Sequence, residues 1–122
     1  MKISLLCFAL MLIAASSFAA TEEQADATLK KLLTAQESKN YADFVADATP
    51  ALKTALSQAQ FEAAADVLKA RFKDGYETKY LGELKQQGCQ VFYYRIRCKD
   101  DGDDLLASLA MKDDKVAGIF FR

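Results

Sequence analysis

The chain has 122 residues, a formal net charge of −1 at pH 7, and neither histidine nor tryptophan. Its 16 basic side chains are balanced by 17 acidic ones, which gives no electrostatic basis for binding nucleic acid or an anionic membrane. Histidine is the most common general base and metal ligand, so its absence argues against an enzyme, and we expect no metal and no cofactor.

The N-terminus has the pattern of a secretory signal peptide. Lys2 supplies a positive charge, Leu5 to Ala15 is an unbroken apolar run, and Ser17 and Ala19 are small residues at the positions that signal peptidase requires. We therefore predict cleavage after Ala19. A signal peptide over 1–19 and a single α+β domain over 20–122 would place the mature protein in the periplasm or outside the cell.

The alternative, an uncleaved membrane anchor, is disfavoured by length. The apolar run from Leu5 to Ala15 is shorter than the roughly 20 residues that a helix needs to cross a bilayer. We expect no stable membrane anchor after cleavage.

Helical patterns follow the leader as far as residue 73. Thr21 with Gln24, and Ser57 with Gln60, are capping boxes that mark two helix starts. Pro50 is typical of the first turn of a helix. The predicted helices are 22–38, 41–48, 50–56 and 58–73.

Strand patterns replace helical ones after Gly75, which suits a helix C-terminus. Short turns make the neighbouring strands antiparallel. We predict an α+β fold in which N-terminal helices pack on a bent four-stranded antiparallel meander sheet. The predicted strands are 76–86, 90–99, 104–112 and 115–122.

Alternation along the second strand separates two faces of the sheet. One face carries Phe92, Tyr94 and Ile96 with Cys98, and the first three should pack on the apolar stripe of the helix over 58–73, which includes Phe61, Leu68 and Phe72. In the last strand, Ala117, Ile119 and Phe121 oppose Val116, Gly118 and Phe120, so both faces look covered there. The cavity-lining candidates are Phe61, Leu68, Phe72, Tyr80, Phe92, Tyr94 and Ile96.

The opposite face of the second strand presents Val91, Tyr93, Arg95 and Arg97. No predicted helix covers these side chains. Tyrosine and arginine are enriched at protein interfaces, so we predict a homodimer that buries this face. A sheet face left in water is the alternative.

Cys89 and Cys98 bracket a run rich in aromatic and β-branched residues in the predicted second strand. Nine steps along a strand span about 30 Å, whereas a disulfide needs Cα atoms about 4.4–6.8 Å apart. The two side chains also have opposite parity. We therefore expect Cys98 as a core residue and Cys89 as a free thiol at a hairpin end. A disulfide would require a broken strand, and a catalytic cysteine would require a base that the chain does not provide.

Other acidic segments have a structural interpretation. The sequence KDDGDD, residues 99–104, lacks the alternating ligands and the distant glutamate of a calcium loop, so we predict a solvated turn. Asp43, Asp47 and Asp66 lie on predicted helices among polar neighbours. Nothing marks any of them as a buried acid or base, so no catalytic residue is predicted.

The order of elements resembles the cone of the nuclear transport factor 2-like superfamily. The closing pair of strands, ASLAMKDDKVAGIFFR (Ala107 to Arg122), is similar to the end of small secreted bacterial members whose function is unknown. The segment from Thr49 to Gly75 also fits. The resemblance implies a cavity between helices and concave sheet, and often dimerisation through the sheet. Members include isomerases and dehydratases as well as non-enzymatic binders.

Three functions follow as hypotheses. The first is a non-catalytic binding module for a small apolar or amphipathic ligand or a partner protein. The second is a small isomerase- or dehydratase-like cavity enzyme that uses a carboxylate or a tyrosine, with Tyr80 and Tyr94 as candidate proton donors. The third is a structural role through dimer formation. A carboxylate that points into the cavity would favour the second hypothesis.

Overall fold

The computed structural model describes residues 19–122, so the predicted signal peptide lies, apart from Ala19, outside the described residues. Within this range, helices come first and strands follow. The elements are α1 Glu22–Glu37, α2 Tyr41–Val45, α3 Pro50–Ala55, α4 Gln58–Phe72, β1 Tyr76–Gln86, β2 Cys89–Cys98, β3 Leu105–Lys112 and β4 Lys115–Phe121.

The strands form one antiparallel sheet in the order β1-β2-β3-β4, which confirms the predicted α+β class and the meander. Tight turns explain this order. Gln87 and Gly88 both have positive φ between β1 and β2, as do Asp113 and Asp114 between β3 and β4. Two successive residues with positive φ form the turn that matches the natural twist of a hairpin.

The helix starts lie where the sequence places them. The Thr21 hydroxyl accepts a hydrogen bond from the Gln24 backbone N–H at 3.2 Å, and the Ser57 hydroxyl accepts one from the Gln60 backbone N–H at 3.1 Å. Both capping boxes are complete. Each cap satisfies N–H groups that the first helical turn leaves without intrahelical partners.

Helix α2 is shorter than predicted, ending at Val45 instead of Ala48. Ala48 instead forms a parallel bridge with Val116 of β4. The Thr49 N–H donates to the Val116 carbonyl at 2.8 Å, and the Val116 N–H donates to the Asp47 carbonyl at 2.7 Å. These bonds end the helix and hold the start of α3 beside β4.

The hydrophobic core lies between the helices and one face of the sheet, which we call the inner face. Its members come from α1, α2, α4 and the three strands that follow β1, together with Ala20 just before α1. All six residues that we expected to pack together belong to this cluster: Phe61, Leu68, Phe72, Phe92, Tyr94 and Ile96. The predicted inner face of β2 is therefore confirmed.

Two β-bulges change the alternation that we predicted. One lies between Tyr80 and Gly82 in β1, and the other lies where Ala110 and Met111 of β3 pair with β4. An extra residue reverses the faces beyond it. Val116, which we expected opposite Ile119 and Phe121, is therefore 1% exposed and in the core, against which those two partly buried side chains pack.

The outer side of β4 also differs from the prediction that both faces are covered. The side chain of Phe120 is 64% exposed. None of the helices within residues 19–122 is long and apolar enough to cross a membrane.

Candidate functional site

A cleft of about 500 Å³ opens between α1 and the first two strands. It combines tyrosine rings with hydroxyl, carboxylate and ammonium groups, and we call it the tyrosine cleft. Its lining residues are Asp26, Leu29, Lys30, Leu33, Tyr76, Thr78, Tyr80 and Tyr94.

Strand alternation and helix periodicity build this cleft. Tyr76, Thr78 and Tyr80 are alternate residues of β1, so their side chains share one face until the bulge after Tyr80. On α1, Asp26 lies three residues before Leu29, so the two are neighbours on one side of the helix. The Asp26 carboxylate thus lies at the edge of the apolar side of α1.

Asp26 and Tyr94 join the two walls of the cleft. The Tyr94 hydroxyl donates to the Asp26 carboxylate with an O···O distance of 2.6 Å. Tyr94 is only 2% exposed, whereas Asp26 is exposed. Burial, reinforced by the bond to Asp26, raises the pKa of Tyr94 well above its ordinary value. The hydroxyl therefore keeps its proton and acts as a donor at physiological pH.

The other two tyrosines are shifted in the same direction. Burial, and then the nearby Glu37 carboxylate, raise the pKa of Tyr76. Burial also raises the pKa of Tyr80, with smaller contributions from the Glu83, Glu22 and Asp26 carboxylates. Among the lining residues, Asp26 is the one carboxylate and Lys30 the one cation, and the Glu22, Glu37 and Glu83 carboxylates lie close enough to act on the tyrosines from outside the lining.

The structure brings together only part of the predicted cavity. Tyr80 and Tyr94 line the cleft, with their ring centroids 5.6 Å apart in an edge-to-face arrangement. Leu68, Phe72, Phe92 and Ile96 are buried in the closed core and line neither this cleft nor the pocket described next. Phe61 lines that other pocket.

A second cavity, which we call the apolar pocket, lies between the helices and β4. It has a volume of about 440 Å³. Its lining is aromatic and aliphatic except for one carboxamide. The lining residues are Gln36, Phe44, Ala51, Leu52, Ala55, Leu56, Phe61, Ala64, Ala117, Gly118, Ile119, Phe120 and Phe121.

The face of the sheet that points away from the core, the outer face, carries the predicted interface residues. Val91 is 9% exposed, Tyr93 and Arg95 are half-buried, and Arg97 is exposed beside Asp104. The Arg95 Nε is buried and has no hydrogen-bond partner within residues 19–122. A shallow groove of about 360 Å³ crosses this face.

The two cysteines lie on opposite faces of an unbroken β2, as their parity predicts. Both thiols are free. Cys98 is buried in the core, where burial raises its pKa. Cys89 is partly exposed and lines the outer groove. Their places at the two ends of one strand agree with the expectation that they are not joined in a disulfide.

The acidic loop between β2 and β3 is a turn, and it is anchored more firmly than the sequence predicts. The Arg71 Nε donates to the Asp100 carboxylate at 2.6 Å, and Arg71 also reaches the Asp103 carbonyl. The bond from Arg71, together with one from the Gly102 N–H, lowers the pKa of Asp100. No group of three or more histidine, cysteine, aspartate or glutamate residues suited to a metal ion occurs in the described range.

Comparison with known proteins leaves the family open. No model of a protein family, no curated protein and no solved structure matches this chain. The resemblance to the nuclear transport factor 2-like superfamily therefore stays a prediction.

Proposed function

We propose that this protein is an exported, non-catalytic binding module of the nuclear transport factor 2-like type, and that the tyrosine cleft takes a small organic cation. The observation that carries the proposal is the buried Tyr94 held by Asp26 within a cleft of about 500 Å³. That volume is in the range of small-molecule sites. Export rests on the leader sequence.

The cation follows from the composition of the cleft. Aromatic rings attract cations through their negative faces, and three tyrosines line the cleft. Asp26 adds a carboxylate, with Glu22 and Glu83 close enough to act on Tyr80. An ammonium group among these side chains gains attraction to ring and carboxylate together. A carboxylate ligand would find only Lys30.

Binding fits the tyrosines better than proton transfer does. A catalytic acid works best when its pKa lies near the working pH. The pKa values of Tyr76, Tyr80 and Tyr94 are all raised instead. These hydroxyls are suited to donate hydrogen bonds while keeping their protons.

Choline tests the proposal, with two matched compounds. The alcohol 3,3-dimethylbutan-1-ol has its shape without the charge, and 3,3-dimethylbutanoate replaces the cation by an anion. Calorimetry should show choline binding at least about tenfold more tightly than either compound. That ratio corresponds to the free energy of one desolvated cation–π contact together with attraction to the nearby carboxylate. Equal binding of the neutral compound would reject charge recognition.

Two variants locate the site. Asp26→Asn keeps an oxygen that accepts from Tyr94 but removes the charge, so choline affinity should fall by about tenfold, the equivalent of 1.4 kcal/mol. Asp114→Asn makes the same charge change in the exposed β3–β4 turn and should leave the affinity unchanged. If both variants bind choline as the wild type does, the site lies elsewhere.

The same Asp26–Tyr94 pair favours a second candidate, the small cavity enzyme, since a carboxylate does reach the cleft. The protonation of Tyr94 separates the candidates. With ¹³C-labelled tyrosine, the signal lost in Tyr94→Phe should not titrate below about pH 10, the ordinary tyrosine value. Ionisation of Tyr94 near neutral pH would support the enzyme and contradict the binding module.

We also propose self-association through the outer face. Phe120 and Leu84 are large exposed apolar side chains on the outer strands, and Val91 and Tyr93 lie between them. A second copy of the chain would cover this apolar surface and offer acceptors to the buried Arg95 Nε.

A further inference from the structure

Gln36, in the last turn of α1, is the one polar residue buried among the described core. It is 4% exposed, and its Oε1 has no hydrogen-bond partner within residues 19–122. Buried polar atoms are almost always paired, because an unpaired one loses its bonds to water without replacement. An unpaired carboxamide oxygen in a folded core therefore requires an explanation.

Gln36 is among the residues that line the apolar pocket. Aromatic rings of Phe44, Phe61 and Phe121 line the same pocket, and no charged side chain is among the lining residues. Tyr41, close by, already donates its hydroxyl proton to the Leu56 carbonyl at 2.6 Å. Gln36 is thus the one polar side chain that lines this pocket of about 440 Å³.

The fold keeps this space open. The bridge between Ala48 and Val116 holds α3 beside β4, yet α3 contributes no fully buried residue. Gly118 has no side chain to fill the gap, and the ring of Phe120 lies only 3.0 Å from where a Cβ of residue 118 would be. Phe120 is 64% exposed, so an aromatic ring borders the pocket at the surface.

We infer that the apolar pocket binds a neutral amphipathic molecule, a hydrocarbon chain or ring bearing one hydroxyl group that bonds to Gln36. The hydrocarbon body matches the apolar lining, and the hydroxyl supplies the donor that Oε1 lacks. A carboxylate has no proton to donate and would meet no cation. This site is separate from the tyrosine cleft and does not rest on the function proposed for it.

Octan-1-ol tests the inference against its isomer heptyl methyl ether, which has the same atoms but no hydroxyl proton. Octanoate serves as the charged counterpart. Calorimetry at pH 7 should show the alcohol binding at least about tenfold more tightly than the ether or octanoate, as expected for one buried hydrogen bond. Equal affinity for alcohol and ether would overturn the role of Gln36.

Gln36→Leu removes the carboxamide at similar volume. Both isomers should still bind, but the preference for the alcohol should disappear. The unliganded variant should melt at the same temperature as the wild type or higher, since it no longer buries an unpaired polar atom. A Gln36→Leu variant that keeps the preference would show that the alcohol bonds to another group.

Substitutions of two adjacent alanines on α4 test where the alcohol binds. Both are exposed, but Ala64 lines the pocket and Ala63 is not among its lining residues. Ala64→Phe should weaken octanol binding at least about tenfold by filling the pocket, whereas Ala63→Phe should leave it unchanged. Circular dichroism confirms that both fold. Equal binding by the two variants would place the alcohol elsewhere. Asp26→Asn, a change in the tyrosine cleft, should not affect octanol binding.

Discussion

The two faces of β2 give identical residue types different roles. Tyr94 is buried on the inner face and bonded to Asp26, while Tyr93, the next residue, lies half-buried on the outer face with a 3.3 Å contact to Gln86. Cys98 is buried in the core, whereas Cys89 lines an open groove. The position in the pleat, not the residue type, decides which side chain packs and which remains available.

This contrast separates stability from recognition. The inner face packs on helices, so its side chains should determine the free energy of unfolding. The outer face has no helix over it within the described residues, so its side chains should affect association instead. Variants matched across the strand can test that division.

The largest effect should come from truncation on the inner face. Phe92 is 1% exposed, so Phe92→Ala should lower the free energy of unfolding by about 3–5 kcal/mol through lost burial and a cavity. Arg97→Ala, on the outer face, should change it by no more than about 0.5 kcal/mol. Chemical denaturation measures both. Similar losses in the two variants would mean that the outer face is also packed in the monomer.

The outer face should show its role in self-association. Truncating a central interface tyrosine commonly costs about 2 kcal/mol or more, so Tyr93→Ala should weaken the dimer about thirtyfold or more. Sedimentation over a concentration series measures this constant. Phe44→Leu, an inner-side change, should leave it unaltered. If the wild type and Tyr93→Ala both stay monomeric at high concentration, the outer face is exposed to solvent and is not an interface.

Local signals predict most of this fold. The capping boxes at Thr21 and Ser57 place two helix starts, and the alternation from Val91 to Cys98 assigns both faces of β2. Such signals depend on neighbours in sequence. Whether the fold also belongs to the nuclear transport factor 2-like superfamily is a separate prediction that no comparison tests.

The features that the sequence does not predict arise from contacts between distant segments. The bulge beside Val116 and the early end of α2 at Val45 both depend on pairing across the sheet edge, which local periodicity does not contain. Asp26 carried a usable signal, since it lies three residues before Leu29 on the buried stripe of α1. The sequence contains no such signal for the space around Gln36, because α1, α3 and β4 define that space only after they pack.

A smaller effect should distinguish the adjacent tyrosines. Tyr94→Phe removes a hydroxyl bonded to a carboxylate and should cost about 1–2 kcal/mol, whereas Tyr93→Phe should cost a few tenths at most. Denaturation of both variants measures the difference. Equal costs would show that the Asp26 bond adds nothing to stability.

The contribution of Tyr94 should also depend on pH. Its folded pKa is raised, so its stabilising contribution is complete below the unfolded tyrosine value of about 10. Above that pH the unfolded chain ionises first, which favours unfolding. The stability advantage of the wild type over Tyr94→Phe should therefore shrink as the pH rises beyond about 10. An advantage that grows with pH would contradict the raised pKa.

The cysteines provide the last comparison, one with no expected change in stability. A thiol must be both accessible and ionised to react, and Cys98 is buried with a raised pKa. Alkylation at pH 8 should therefore modify Cys89 in the native protein and Cys98 only after unfolding. Mass spectrometry of the digested protein identifies each site.

Because Cys89 lines the outer groove, its labelling also reports on the dimer. A second copy that covers this face should slow the reaction of Cys89 as protein concentration rises, and Tyr93→Ala should remove that dependence. A mass two units below the reduced chain, with no labelling in denaturant, would instead demonstrate a Cys89–Cys98 disulfide. Since that bond cannot span an extended β2, it would also show that the strand is broken and that its two faces are not those described.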